Sequence, residues 1–284
     1  MCEPSTDAIS ISENLQKRSD IVCNLIKKNG VTHKSRSESK STIPKIIVQY
    51  WDDPNHIPGD VQKCLETWDH LSSIGCKHIL FNDHSARRFI TKNFSRSHVE
   101  AYDRCYHPAM KSDYFRLCFI LLKGGCYVDA DDAYCGKDFL CLFSDLRLKL
   151  QPLCYDFASG EMIEPEIFTK PNQYSHDWLF YFGNNPIVAP PWDRVVRYAL
   201  GRATRILLKS DNNSLPEIQS ATGPGNLTAS LVAYAATGNT FTIENQLMVL
   251  SNWKSFARTV WPLSYRNDRR NWRLSNRQRF LKQK

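Results

Sequence analysis

Residues 111–132 read KSDYFRLCFILLKGGCYVDADD, and this stretch decides the fold class. From Lys111 to Lys123 the pattern is that of a mostly apolar helix. Gly124 and Gly125 close it, because glycine takes positive φ at little cost. The short apolar run CYVDAD (126–131) then reads as a buried strand that ends on a D-x-D. In a strand, residues i and i+2 face one side, so Asp129 and Asp131 are expected to converge while Asp132 points elsewhere. Asp113 and Arg116, spaced i and i+3, leave one face of the preceding helix.

Working outward, IPKIIVQYW (43–51) reads as a buried strand bounded by Pro44 and Asp52. A helix is expected over 60–70. A strand follows at CKHILFND (76–83), with Asn82 or Asp83 capping the helix SARRFITKNF (85–94). Beyond the central motif, 187–189 reads as a further strand. Helical patterns cover 193–209 and 226–236, while 154–185 reads as irregular. Alternating strands and helices predict an α/β domain with a central sheet flanked by helices. Its expected limits are 43–253, between a polar N-terminal extension (1–42, partly disordered, with one short helical pattern through Leu15, Val22, Leu25 and Ile26) and a basic C-terminal segment (254–284).

The bulk properties exclude several classes. No run is long and apolar enough for a membrane helix, and the first 30 residues are too polar for a signal peptide. All 10 cysteines lie between Cys2 and Cys154 without CxxC pairs, which points to reduced core thiols and a cytoplasmic setting. The net charge of +8 is concentrated in residues 254–284, which carry 10 Lys/Arg and one acid, Asp268. That segment reads as a solvated terminus or as a peripheral contact to anionic lipid head groups or a polyanionic acceptor. Its aromatics, Trp261, Tyr265 and Trp272, are too few and irregular for a nucleic-acid stacking platform.

A nucleotide sugar carries a diphosphate that must accept charge as the glycosidic bond breaks, and a hard divalent cation held by carboxylates stabilises it. Asp129 and Asp131 suit that task, with Mn²⁺ or Mg²⁺ favoured by oxygen ligands. An acid that grips hydroxyls, Asp113, and a permanent cation, Arg116, are the other types such a site needs.

The quoted stretch resembles, almost position for position, the signature of the DXD sugar transferases of glycosyltransferase family thirty-two. The order of helix Asp, helix Arg, paired Gly and D-x-D also resembles the large clostridial glucosylating toxins. IPKIIVQYW is similar to the family's opening strand and ATGPGNLT (221–228) to its Thr-Gly-Pro turn, so the resemblance spans most of 43–272. It implies a GT-A type, Rossmann-like fold and transfer of a hexose from a UDP- or GDP-linked donor to a glycan, lipid or protein acceptor. It further implies retention at the anomeric carbon, with Asp131 as metal ligand and Asp129 on ribose or metal. Asp113 and Arg116 would orient the donor sugar. Trp51 stands where relatives place an aromatic against the base, or it is a strand-end core residue; Tyr50 and Gly125 complete the implied donor site. Relatives carry a His-Trp or Ser-x-Trp element near the C-terminus; the local match, YRNDRRNW (265–272), has Asn271 in place of His as the implied third metal ligand. Glu161, Glu164 and Glu166 read as loop acids or as part of an acceptor wall. Two other readings compete: a haloacid-dehalogenase-like phosphatase, disfavoured by Ala133 where that motif needs Thr or Val, and an inactive sugar-binding relative.

Overall fold

The computed structural model describes residues 13–31, 42–210 and 215–274. A seven-stranded mixed sheet forms the centre, in the order β2-β1-β3-β7-β5-β6 with β8 paired to β5. The strands are β1 (Ile46–Tyr50), β2 (Lys77–Phe81), β3 (Gly125–Tyr127), β5 (Leu148–Asp156), β6 (Glu161–Ile163), β7 (Trp178–Ala189) and β8 (Leu247–Val249). β1 runs parallel to β2 and β3, whereas β7 is antiparallel to both β3 and β5. A separate two-stranded ribbon joins β4 (Asp132–Tyr134) to β9 (Ala257–Thr259). This is the mixed central sheet flanked by helices that the alternation of elements predicts.

The helices follow their sequence signals. In α1 (Leu15–Val31), Val22, Leu25 and Ile26 are buried. The Ser19 hydroxyl of α1 also accepts the Phe180 N–H at 2.9 Å. This part of the segment read as a polar extension is therefore packed into the main core; residues 1–12 and 32–41 lie outside the described residues. α2 (Gly59–Asp69) buries Val61, Cys64, Leu65 and Trp68. Asn82 caps α3 (Asp83–Asn93) through a reciprocal bond with Ser85, as its side-chain oxygen predicts. Next come α4 (Arg96–Asp103) and α5 (Pro108–Lys123); α5 opens on Pro108 because proline's missing N–H costs nothing in the first turn. α6 (Arg194–Lys209), capped by Asp193, packs on α7 (Pro224–Tyr234).

α5 is buried on almost every side from Met110 to Leu121. Gly124 and Gly125 after it both have positive φ, +65° and +103°. A Cβ on Gly124 would meet Pro191 Cδ at 2.7 Å, and one on Gly125 would meet the Ile46 carbonyl oxygen at 2.6 Å. The pair thus lets the chain reverse tightly from α5 into β3 while β1 and the Ala189–Pro191 stretch close over it.

The sequence expectation also fails at two places in the sheet. The strand ends at Tyr127 rather than Asp131: the last ladder bond is Val128 N–H to Val48 O, and Asp132 N–H then bonds to Asp129 O in a turn. The stretch 154–185, expected to be irregular, contributes the ends of the longest strand pair, β5 with β7. A register shift between Leu150 and Pro152 breaks the clean alternation that would have marked it.

Of the 10 cysteines, the nine described are all free thiols, seven of them buried. Among the described residues no helix is long and apolar enough to cross a membrane.

Candidate active site

At the edge of the sheet where β1 and β3 end, a cavity of about 490 Å³ opens, within the usual range for small-molecule sites. Its lining includes Tyr50, Trp51, Asp113, Arg116, Asp129, Asp131 and Asn271. Seven of the eight residues assigned from sequence to the donor and metal site are thus brought to one cavity. Gly125 is the exception: it lies buried in β3 against β1, where only the lack of a side chain lets the strands approach.

The helix-borne part is closely knit. Arg116 Nη2 bonds to Asp129 Oδ1 at 2.9 Å and to Asp113 Oδ1 at 3.0 Å, while Nη1 donates to the Asn184 carbonyl at 2.6 Å. Its guanidinium stacks over the Tyr127 ring, 4.1 Å from the centroid. Asp113 Oδ1 also accepts from Asn184 Nδ2 at 2.8 Å, and Oδ2 accepts from the Thr222 hydroxyl at 3.2 Å. Gly223 follows Thr222, and a Cβ there would come within 3.3 Å of Asp113 Oδ2, so the Thr-Gly-Pro turn is small where it meets the carboxylate. Burial raises the Asp113 pKa to about 6 despite the adjacent Arg116.

The D-x-D turn is held by main-chain contacts. Asp129 N–H donates to Asn185 Oδ1 at 3.1 Å, and its carbonyl accepts from Gln49 Nε2 at 3.0 Å. Asp132 is fully buried and accepts from Asn185 Nδ2 at 3.0 Å and from the Thr259 hydroxyl at 2.6 Å. Burial, then the neighbouring Asp131, pushes its pKa to about 7. Asp129 and Asp131 therefore reach the cavity through a turn anchored by Asn185 and Asp132, not through strand alternation.

The C-terminal segment supplies the opposite wall. Asp131 Oδ2 accepts from the Tyr265 hydroxyl at 2.7 Å and from Arg266 Nη2 at 2.5 Å. Burial and the proximity of Asp129 raise the Asp131 pKa. Trp51 packs edge-on against Tyr265, with ring centroids 5.5 Å apart, and is 7% exposed. The Arg270 guanidinium lies 5.4 Å from the Trp51 centroid and pairs with Asp52 and Asp268. The Tyr50 hydroxyl donates to Asp83, which also takes Lys111. Asn271 donates to the Arg266 carbonyl at 2.6 Å and accepts the Arg273 N–H at 3.1 Å, so its amide also shapes the local turn. Glu161, Glu164 and Glu166 do not line the cavity; Glu164 pairs with Lys254 at the surface.

Sequence reasoning assigned no role to Asn184, Asn185, Thr222 or Arg266. Thr222 stood within the quoted Thr-Gly-Pro turn, and Arg266 was counted as tail charge. For the two asparagines no local signal exists, because their partners lie more than 50 residues away.

Two carboxylates opening on one cavity form a donor set suited to a hard divalent cation, with phosphate oxygens and water completing the shell. Among the described residues no group of three or more His, Cys, Asp or Glu side chains is placed to hold a metal.

Comparison with known proteins gives a family match in this region. Residues 58–139 match the family model described as a glycosyltransferase sugar-binding region containing a DXD motif. An uncharacterized glycosyltransferase of Acanthamoeba polyphaga mimivirus is 30% identical over 143 residues, 49% of this chain and 54% of that one. The initiation-specific alpha-1,6-mannosyltransferase of Schizosaccharomyces pombe is 30% identical over 95 residues, 32% of this chain and 23% of that protein. The chain thus spans about half the length of the first relative and a quarter of the second. The solved PaToxG glycosyltransferase aligns over 91% of this chain and 93% of its own, at a TM-score of 0.47 and 13% identity. The D-x-D at Asp129–Asp131 lies inside the stretch that matches the sugar-binding region.

Proposed function

We propose that this protein is a retaining hexosyltransferase that uses a UDP- or GDP-hexose donor. The observation that carries the reading is the convergence of Asp113, Arg116, Asp129, Asp131 and Trp51 on one cavity. Asp129 and Asp131 would hold Mn²⁺ or Mg²⁺, with Asn271 on the facing wall as the candidate third ligand. The ion, when bound, supplies Lewis-acid stabilisation of the departing diphosphate. Asp113 accepts hydrogen bonds from the hexose hydroxyls, and Trp51 and Tyr50 border the nucleotide.

Arg116 lines the same cavity. Its hydrogen bonds go to Asp113, Asp129 and neighbouring chain groups, so it is a positioning residue for both carboxylates. In the reaction the bond from the anomeric carbon to the phosphate oxygen breaks. The acceptor hydroxyl oxygen bonds to that carbon from the same face, and its proton passes to the departing phosphate oxygen. No separate base is needed. The acceptor is a hydroxyl of a glycan, lipid or protein, reached from the side of the cavity lined by Gln151, Leu153, Met162 and Tyr181. The setting is cytoplasmic, with residues 254–284 as a peripheral contact to anionic membrane.

The test is a panel of UDP- and GDP-hexoses with Mn²⁺, scored for donor hydrolysis and transfer, alongside thermal unfolding with UDP or GDP. At 100 times the dissociation constant, nucleotide with Mn²⁺ is expected to stabilise the protein by about 2.7 kcal/mol, and Asp131→Asn should abolish that gain. Absence of hydrolysis, transfer and any nucleotide-induced shift would sink the proposal.

A further inference from the structure

Asp131 is already paired with a cation. Arg266 Nη2 contacts Asp131 Oδ2 at 2.5 Å, with side chains only 11% and 14% exposed. The Arg266 guanidinium also lies 3.2 Å from the Trp261 ring centroid, and its Nε is buried without a hydrogen-bond partner. A carboxylate oxygen committed to a guanidinium and to Tyr265 OH has little left for a metal ion. A divalent ion placed beside Arg266 would also meet like-charge repulsion. Yet the unpaired Nε–H leaves Arg266 incompletely satisfied, at a cost that a second anionic partner would remove.

Building on the metal-dependent transferase reading, we propose that Arg266 is the resident counter-cation of Asp131 and that a divalent cation displaces it. The freed guanidinium, Nε–H included, then turns to the donor's diphosphate. Metal alone must evict the arginine without compensation, whereas metal with nucleotide provides the arginine with a new anion. The two ligands therefore bind cooperatively, and Arg266 carries the coupling. Arg270, over the face of Trp51, belongs to the same segment.

The experiment is a Mn²⁺ titration of the full chain, followed by electron paramagnetic resonance of free Mn²⁺, with and without UDP or GDP. Arg266→Gln should bind Mn²⁺ alone at least about tenfold more tightly than the unsubstituted protein, and nucleotide should improve its binding less. Trp261→Leu removes the ring on which the guanidinium rests and leaves Arg266 in place. It should shift Mn²⁺ binding the same way, and because Trp261 is 59% exposed this variant keeps the fold if Arg266→Gln does not. Thermal unfolding establishes which variants are folded. If the folded variants bind Mn²⁺ no more tightly than the unsubstituted protein, while the latter binds it with nucleotide, Arg266 is no competitor and the transferase reading stands. If the unsubstituted protein binds no Mn²⁺ even with UDP and GDP, the metal-dependent reading itself falls, and this inference with it.

Discussion

The two halves of the cavity are built on opposite principles. Asp113 sits in the middle of a buried helix, with hydrogen bonds from β7 and from the turn before α7, and is tied to Asp129 through Arg116. Asp131 sits in a turn and is met by Tyr265 and Arg266, from a segment that joins the fold through the short β4–β9 ribbon and by packing around Leu263. The first half is scaffold, in which every partner is fixed by the core around it. The second is a contact between side chains that can separate without opening that core. A divalent cation that arrives with the anionic donor can rearrange the second half more readily than the first.

The largest expected effect tests the scaffold half. Arg116→Met leaves the buried Asp113 and the partly exposed Asp129 without their shared cation. Breaking a buried ion pair by removing one partner costs about 3–5 kcal/mol, which urea unfolding at pH 7 measures. A loss below about 1 kcal/mol would mean that the helix-borne half is no more rigid than the C-terminal one, and the contrast would collapse.

A smaller effect follows from the protonation of Asp113. Burial raises its pKa in the folded protein to about 6, against 3.8 as the ordinary value. The folded state therefore holds the proton more tightly than the unfolded chain between these values. The stability this contributes is fully present below pH 3.8 and is lost as the pH rises through about 6. Asp113→Asn removes the titration, so the stability of the unsubstituted protein relative to this variant should fall from pH 4 to pH 7. Paired urea titrations at the two pH values check the sign. A flat difference would place Asp113 in better contact with water than its 7% exposure implies, and would sharpen where the sealed half begins.

What was legible from sequence divides along the same line. The helix with Asp113 and Arg116, the paired glycines and the D-x-D form one continuous stretch, and local rules suffice to read them. Even so, alternation gave the wrong local geometry: the chain leaves the strand at Tyr127 and turns, because Asn185 and Gln49 take the main-chain groups of Asp129 that a ladder would otherwise use. Asn184 and Thr222 reach Asp113 across 71 and 109 residues, and Arg266 reaches Asp131 across 135. Pairings at such separations leave no periodicity in the chain. Arg266 was also concealed by composition, since one arginine among 10 basic residues reads as tail charge until the fold sets it against a carboxylate.

The smallest expected effect bounds the site on its outer side. Glu164 is half-exposed and pairs with Lys254, and neither residue lines the cavity. An exposed pair of this kind contributes about 0–1 kcal/mol and is screened by salt. Glu164→Gln should therefore change stability by less than about 0.5 kcal/mol and leave nucleotide-sugar hydrolysis unaltered. The informative measurement is transfer to an acceptor, compared with hydrolysis of the same donor. If the substitution lowers transfer while hydrolysis holds, the acceptor extends past Met162 onto the loop that carries Glu164. The cavity would then have a third wall, built neither from the buried helix nor from the C-terminal segment, and the two-part contrast would describe only the donor side.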